Sequence, residues 1–129
     1  MVKRPVHESD VPWQTWYAGT HREIRGRALS DVGVIAKIGF GLLELPPGSS
    51  TEPGHWHSRE EEHVYALSGA ATLHLGDESL ALRAGSYVCF PAGQAVPHHL
   101  HNDGSVTFRY IIVGERLADD VVTYPKGRS

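Results

Sequence analysis

Residues 54–69 read GHWHSREEEHVYALSG, a stretch that contains three histidines and three consecutive glutamates. In a β-strand alternate side chains share one face, so His55 and His57 point to the same side while Trp56 points to the other. Their Cα atoms then lie roughly 6.6–7 Å apart, and two imidazoles at that spacing can converge on one metal ion. A His-x-His pair on an inward-facing strand is therefore a candidate half of a metal site.

A carboxylate that could complete this site lies in the acidic run at the centre of the stretch. On an unbroken strand Glu61 would share the face of His57. Residues 58–60, however, read as a turn or bulge, which resets the facing of the side chains that follow. The next predicted strand begins at Glu62. The alternation of side chains along the strand therefore leaves both Glu61 and Glu62 open as ligands.

A second histidine-rich run reads HHLHN and begins at His98. On a strand His98 shares one face with Leu100 and Asn102, whereas His99 and His101 share the other. The chain has nine histidines, and seven of them fall within the segment that spans the two runs. Histidine is the commonest metal-binding side chain, so this concentration supports a metal site.

Strand signals are frequent along the chain and helix signals are weak. Residues 105–113 and 71–75 show the two-residue alternation of strands. Residues 80–83 alternate again after a tight connection at 76–79, which predicts a hairpin. Because short strands alternate with Gly- and Pro-containing turns, we expect an antiparallel sandwich or barrel.

Length and composition predict one soluble domain. The chain has 129 residues and a formal net charge of −3, which gives no sign of a nucleic-acid or membrane partner. No apolar run reaches the ~20 residues of a membrane span, and the N-terminus lacks the apolar stretch of a signal peptide. The single cysteine, Cys89, predicts a reducing, cytoplasmic setting and a small buried thiol. We expect an N-terminal arm at 1–28, a barrel at 29–115 and a C-terminal tail at 116–129.

Two groups of residues resemble the motifs of the cupin superfamily, and in particular those of small single-domain bacterial cupins. The residues that resemble the first motif are Gly48, His55, His57, Glu62 and Gly69. Those that resemble the second motif are Gly85, Pro91, Gly93, His98 and Asn102. The resemblance implies an all-β double-stranded β-helix, also called a jelly-roll barrel, in a single domain.

The resemblance also implies which side chains bind the metal. In cupins the glutamate ligand stands seven residues before the closing glycine of the first motif, which corresponds to Glu62 rather than Glu61. The histidine of the second motif stands four residues before its asparagine, which corresponds to His98 rather than His99. The second loop is longer here than in the family. The implied ligands are His55, His57, Glu62 and His98.

Three histidines and one carboxylate leave open positions on a six-coordinate ion. We therefore expect one divalent ion per chain, either iron, manganese, nickel, zinc or copper, and the lack of a thiolate argues against a closed structural zinc site. The resemblance implies a metal-dependent enzyme of the dioxygenase, isomerase, decarboxylase or lyase type that acts on a small polar or aromatic molecule. The alternative is a non-catalytic sensor or binding barrel. No catalytic residue is assigned.

The outward face of the strand that begins at Glu62 is more apolar than a free surface requires. It carries His63, Tyr65 and Leu67, which we expect to contact a second subunit or the N-terminal arm, and the resemblance favours a homodimer. Residues 60–61 are expected to form a solvated acidic turn. Arg109 and Tyr110 must face opposite sides of one strand, and the pattern does not choose the inward one.

Overall fold

The structure is a computed structural model that describes residues 3–126, in which strands account for most of the regular structure. The strands are β1 (Gln14–Trp16), β2 (Ile24–Ala28), β3 (Ile38–Leu45), β4 (Trp56–His57), β5 (Glu62–Ser68), β6 (Ala70–Leu75), β7 (Glu78–Arg83), β8 (Tyr87–Phe90), β9 (His98–His101), β10 (Phe108–Glu115) and β11 (Val122–Thr123). Two 3-10 helices span Glu8–Asp10 and Leu29–Asp31. No helix in the described part of the chain has the length and apolar content that a membrane crossing requires.

The strands form two facing sheets and one short ribbon. The larger sheet has the order β1-β2-β3-β10-β5-β8, and the smaller one has the order β7-β6-β9. The ribbon pairs β11 with β4. All of these pairings are antiparallel. The predicted all-β jelly-roll barrel is therefore confirmed.

The hydrophobic core lies between the two sheets. Leu45 and Phe108 of the larger sheet and Leu73 and Leu100 of the smaller one are each at most 5% exposed. Full burial of one such side chain stabilises the fold by about 1.5–3 kcal/mol. These contacts hold the two sheets together at one end of the barrel.

Inward-facing residues change in character along the strands of the larger sheet. On β10, Phe108 and Tyr110 both belong to the core, and Tyr110 together with Ile112 also lines a cavity further along. On β3, Leu45 lies in the core and Leu43 lines the same cavity. The inward-facing side chains of each strand therefore pack in the core at one end of the barrel and line the cavity at the other end. Tyr110 is the inward member of the pair whose facing the sequence left open.

Two predicted strand boundaries were wrong. β10 begins at Phe108 rather than at 105 because Asn102 holds the preceding turn. The Asn102 amide donates to the carbonyls of Leu45 (2.8 Å) and Val106 (2.9 Å) and accepts from the N–H of Gly104 (3.0 Å). The predicted hairpin is present, but β7 begins at Glu78, so its turn is shorter than expected.

Gly69 is required by its surroundings as well as by its backbone angle. Its φ is 76°, a region in which a side chain is strained, and a Cβ added there would lie 2.4 Å from the carbonyl oxygen of Thr107. Gly33 has a similar φ of 73° but has no atom within 4 Å of an added Cβ. Substitutions at the two positions therefore share the backbone strain, but only a substitution at Gly69 adds steric overlap.

We expect Gly69→Ala to destabilise the fold much more than Gly33→Ala. Both substitutions strain the backbone by about 1 kcal/mol, but only the first forces the backbone near Thr107 to move, which adds about 2 kcal/mol. Urea unfolding followed by circular dichroism measures the difference. Equal losses of stability in the two variants would show that the chain near Thr107 shifts freely.

Candidate metal centre

The four side chains expected to bind a metal come from three strands or their immediate neighbours. His57 lies on β4, His55 directly precedes it, Glu62 begins β5, and His98 begins β9. The backbones of His55 and His98 pair directly: the N–H of His98 donates to the carbonyl of His55 at 3.0 Å. This bridge joins the two histidine-rich runs of the sequence.

The four side chains converge around the carboxylate of Glu62. Its Oε1 lies 3.1 Å from Nε2 of His57 and 3.4 Å from Nε2 of His98. The ring of His55 lies 5.2 Å from that of His57 and 4.8 Å from that of His98, measured between centroids. The structure thus brings together all four residues that the family resemblance singled out.

The spacing of these atoms fits a metal ion bound by nitrogen and oxygen. Ligand atoms on bonds of about 2.1 Å lie about 3.0–3.4 Å apart along the edges of an octahedron or tetrahedron. The two measured contacts to Glu62 fall in that range. Donor atoms of His55, Glu62 and His98 also lie within 4.8 Å of one another. The donor set suits iron, manganese, nickel, zinc or copper.

Asp120 orients His57 from the side opposite to Glu62. One of its carboxylate oxygens lies 2.7 Å from Nδ1 of His57. The other oxygen accepts the backbone N–H groups of Arg59 at 2.8 Å and Glu60 at 3.0 Å. A carboxylate behind a histidine fixes its tautomer, so that Nε2 is presented to the ion. His55 has a similar partner in the carbonyl of Pro53, 3.2 Å from its Nδ1.

Burial and hydrogen bonding act in opposite directions on the pKa values of His57 and Glu62. The hydrogen bond to Glu62, and then that to Asp120, raise the pKa of His57 to about 9 against the opposing effect of burial. Burial would raise the pKa of Glu62, but hydrogen bonds to His57 and His98 hold it well below its usual value. Burial lowers the pKa of His55. In the metal-free protein, His57 is therefore protonated near neutral pH.

The alternatives left open by the sequence lie elsewhere in the fold. Glu61 points to the outer face, where its Oε2 lies 2.7 Å from Nε2 of His63. His99 stacks on His74 with ring centroids 4.6 Å apart. The prediction that Glu60 is solvated was wrong, because its carboxylate accepts the N–H of Leu117 at 2.8 Å and is 21% exposed.

A cavity of about 290 Å³ lies beside this centre, inside the barrel. His55, Glu62 and His98 form part of its wall. Much of the remaining wall is apolar and is formed by Ile24, Leu43, Pro53, Val64, Phe90, Leu100 and Ile112, with Tyr110 and Tyr124. Ser50, Thr51, Glu52 and His99 add polar groups to the wall. Tyr17 and Arg22 line its solvent side, with the guanidinium 4.2 Å from the centre of the tyrosine ring. A small molecule in the cavity would touch the proposed metal ligands.

Sequence reasoning missed the contribution of the C-terminal segment. Asp120 is separated from His57 by 63 positions, and no local pattern connects them. The segment reaches the site because β11 pairs with β4, so that Val122 lies opposite His57. Without the fold, the signal for this contact is limited to the acidic residues at 119–120.

Comparison with known proteins agrees with this architecture. The family model for the cupin domain matches residues 41–114, which is more than half of the chain. No curated protein matches the chain significantly.

Solved structures of similar proteins cover most of the chain. A candidate sugar phosphate isomerase from Acidithiobacillus ferrooxidans is 34% identical, with a TM-score of 0.77, over 81% of this chain and 67% of that one. The polyketide cyclase RemF from Streptomyces resistomycificus is 26% identical, with a TM-score of 0.75, over 97% of this chain and 86% of that one. A Cupin 2 conserved barrel domain protein from Salinispora arenicola is 22% identical, with a TM-score of 0.65 over 92% and 91%, and shares the fold.

We expect Asp120→Asn to weaken Mn²⁺ binding by about tenfold to a hundredfold, because it removes the charge that orients His57. Competition with a chelator measures the affinity. Asp119→Asn is the matched control, since Asp119 is 65% exposed and lies near Arg59 rather than near a histidine. Equal affinities for the two variants would show that Asp120 does not support the site.

We also expect Mn²⁺ affinity to rise with pH until about pH 9. Below that value His57 holds a proton that the ion must displace, so affinity should rise by up to about tenfold per pH unit. Burial lowers the pKa of His55, so its protonation adds to the loss of affinity only at lower pH. Titration calorimetry at pH 7.5 in buffers of different ionisation enthalpy should detect about one released proton. A flat affinity between pH 7 and pH 8.5 would contradict this assignment.

Proposed function

Because the chain belongs to the cupin family, we propose that it is a metal-dependent enzyme acting on a small molecule inside its barrel. We propose His55, His57, Glu62 and His98 as the ligands of one divalent ion per chain. The observation that carries this proposal is that three of these side chains form part of the wall of the 290 Å³ cavity. A bound molecule would therefore reach the open positions of the ion without any rearrangement of the barrel.

The size and lining of the cavity support a small substrate with a largely apolar body. Its volume lies at the lower end of the range for ligand sites. Among the described residues that line it, Arg22 is the one Lys or Arg side chain. Apart from the proposed ion, a highly anionic substrate would find few counter-charges there. The lining therefore favours an aromatic or otherwise flat molecule that carries a few oxygens.

The side chains of this chain would position such a molecule in three ways. Phe90, Leu43 and Ile112 would contact its apolar body and exclude water. Burial raises the pKa of Tyr110, so its hydroxyl stays protonated and can donate a hydrogen bond to a substrate oxygen. Arg22 at the solvent side would attract a negative group. When bound, the ion would supply Lewis-acid polarisation of a substrate oxygen.

The relatives offer two substrate classes for a first test. One is a candidate sugar phosphate isomerase, and the other is a polyketide cyclase. The apolar part of the lining supports an aromatic polyketide-like substrate over a sugar phosphate, since Arg22 is the one Lys or Arg side chain among the described lining residues. The candidate reactions are of the isomerase, lyase, decarboxylase and dioxygenase types.

We expect the metal-loaded protein to convert at least one member of a panel of phenolic ketones, aromatic diols, keto acids and sugar phosphates. Product analysis and oxygen uptake detect turnover, and Glu62→Ala should abolish both turnover and retention of the ion. Glu78→Ala, which changes an exposed carboxylate on β7, is the control. Binding of panel compounds without any turnover would favour the alternative, a non-catalytic sensor or binding barrel.

We also propose that two chains pair through the part of the outer face of the larger sheet that carries Tyr65 and Leu67. Contacts of Arg109 with Glu8 and of Arg25 with the ring of Trp13 place the N-terminal segment over one part of this face. Tyr65 and Leu67 remain 46% and 36% exposed on another part. A measured solution mass of two chains would support this pairing, and a mass of one chain would contradict it. The lone thiol is compatible with the reducing cytoplasm that we propose as the setting.

A further inference from the structure

A second cluster of metal-binding side chains lies on the outer face of the larger sheet. His63 on β5 and Cys89 on β8 are directly opposed in the register of the two strands. Glu61 immediately precedes β5. Because successive side chains of a strand face opposite sides, Glu61 and His63 point outward while Glu62 points into the barrel. The cluster is therefore separate from the centre inside the barrel.

Cys89 was expected to be a small buried residue, and this prediction was wrong. Its side chain is half-buried, and its Sγ lies 4.0 Å from Nε2 of His63. The same nitrogen lies 2.7 Å from Oε2 of Glu61. The donor atoms of all three residues lie within 4.8 Å of one another. A thiol, an imidazole and a carboxylate thus face one point on the surface.

Tyr87 orients the imidazole within this cluster. Its hydroxyl lies 2.7 Å from Nδ1 of His63. Since Nδ1 has that partner, Nε2 is the ring nitrogen directed toward Glu61 and Cys89. This is the arrangement by which a group behind a histidine prepares it to bind a metal.

The distances require only small adjustments to accommodate an ion. In a tetrahedral zinc site with bonds of about 2.0–2.3 Å, neighbouring ligand atoms lie about 3.3–3.6 Å apart. The observed separations from Nε2 are 2.7 Å to oxygen and 4.0 Å to sulfur, so each side chain would move by less than about 1 Å. The side chains of His63 and Glu61 are 34% and 45% exposed, which leaves a route for the ion and space for a water as fourth ligand.

We propose that Glu61, His63 and Cys89 form a second metal site that takes a zinc-type divalent ion. The ligand chemistry differs from that of the barrel centre, where all the proposed donors are nitrogen or oxygen. Thiolate favours zinc over harder ions such as manganese. On binding, the metal–sulfur bond replaces the S–H bond, and the thiol proton passes to the solvent. The ion would join β8, the last strand of the larger sheet, to β5.

Co²⁺ binding to the full-length, reduced protein tests this proposal directly. A cobalt–thiolate bond produces an intense near-ultraviolet charge-transfer band, and Cys89 is the only cysteine in the chain. We expect the band to saturate at one Co²⁺ per chain and to disappear in Cys89→Ser. His63→Gln and Glu61→Gln should each weaken Co²⁺ binding at this site by at least about tenfold.

Matched variants separate this site from the barrel centre. Glu62→Ala should remove the barrel ion and leave the cobalt–thiolate band unchanged. Glu61→Gln should weaken the Co²⁺ binding that gives the band and leave the barrel ion in place. His74→Gln changes a histidine on the other sheet and should have no effect on the band. Failure of the barrel centre would therefore not be mistaken for failure of the outer site.

Three results would overturn the proposal. One is the absence of the band at a Co²⁺ concentration that fills the barrel centre. Another is a band that persists in both His63→Gln and Glu61→Gln, since the thiol would then bind cobalt without its neighbours. The last is saturation at one Co²⁺ per two chains together with a doubled solution mass, which would mean that thiols of two chains share the ion.

Discussion

The buried carboxylate of Glu62 is the constraint on which the inner site depends. Its side chain is 18% exposed, and a charge in such a position is strongly unfavourable unless it is paired. The Nε2 atoms of His57 and His98 provide the pairing at 3.1 and 3.4 Å. A proton on His57 serves this role in the metal-free chain, and a metal ion at the same point would replace it. The geometry that stabilises the carboxylate is therefore also the geometry that would bind an ion.

His57 is held in place by residues far away in the chain. β4 has only two residues, and its pairing with β11 supplies the support that so short a strand lacks. The N–H of Ser58 donates to the carbonyl of Val121 at 3.0 Å, and its hydroxyl accepts the N–H of Val121 at 2.8 Å. These contacts place Asp120 behind His57. The C-terminal segment is thus part of the site rather than a covering of the surface.

β5 presents two different environments through one simple alternation. Its inward side chains continue from Glu62 to Val64 and Ala66, both of which are at most 3% exposed. Its outward side chains begin with His63, which meets the thiol of Cys89. Neighbouring residues of one strand therefore contribute to a nitrogen and oxygen site inside the barrel and to a sulfur-containing cluster outside it. The separation follows from the pleat of the strand.

The all-β fold could be predicted from the sequence alone, and so could the shared facing of His55 and His57 and that of His98 with Leu100 and Asn102. These follow from a two-residue period and from turn residues, which act over a few positions. The choice of Glu62 over Glu61 came from family resemblance, because a turn interrupts the alternation before it. Only the tertiary structure placed Asp120 behind His57 and Cys89 beside His63. Those contacts depend on which strands become neighbours, and strand pairing is decided by packing of the whole barrel rather than by any local pattern.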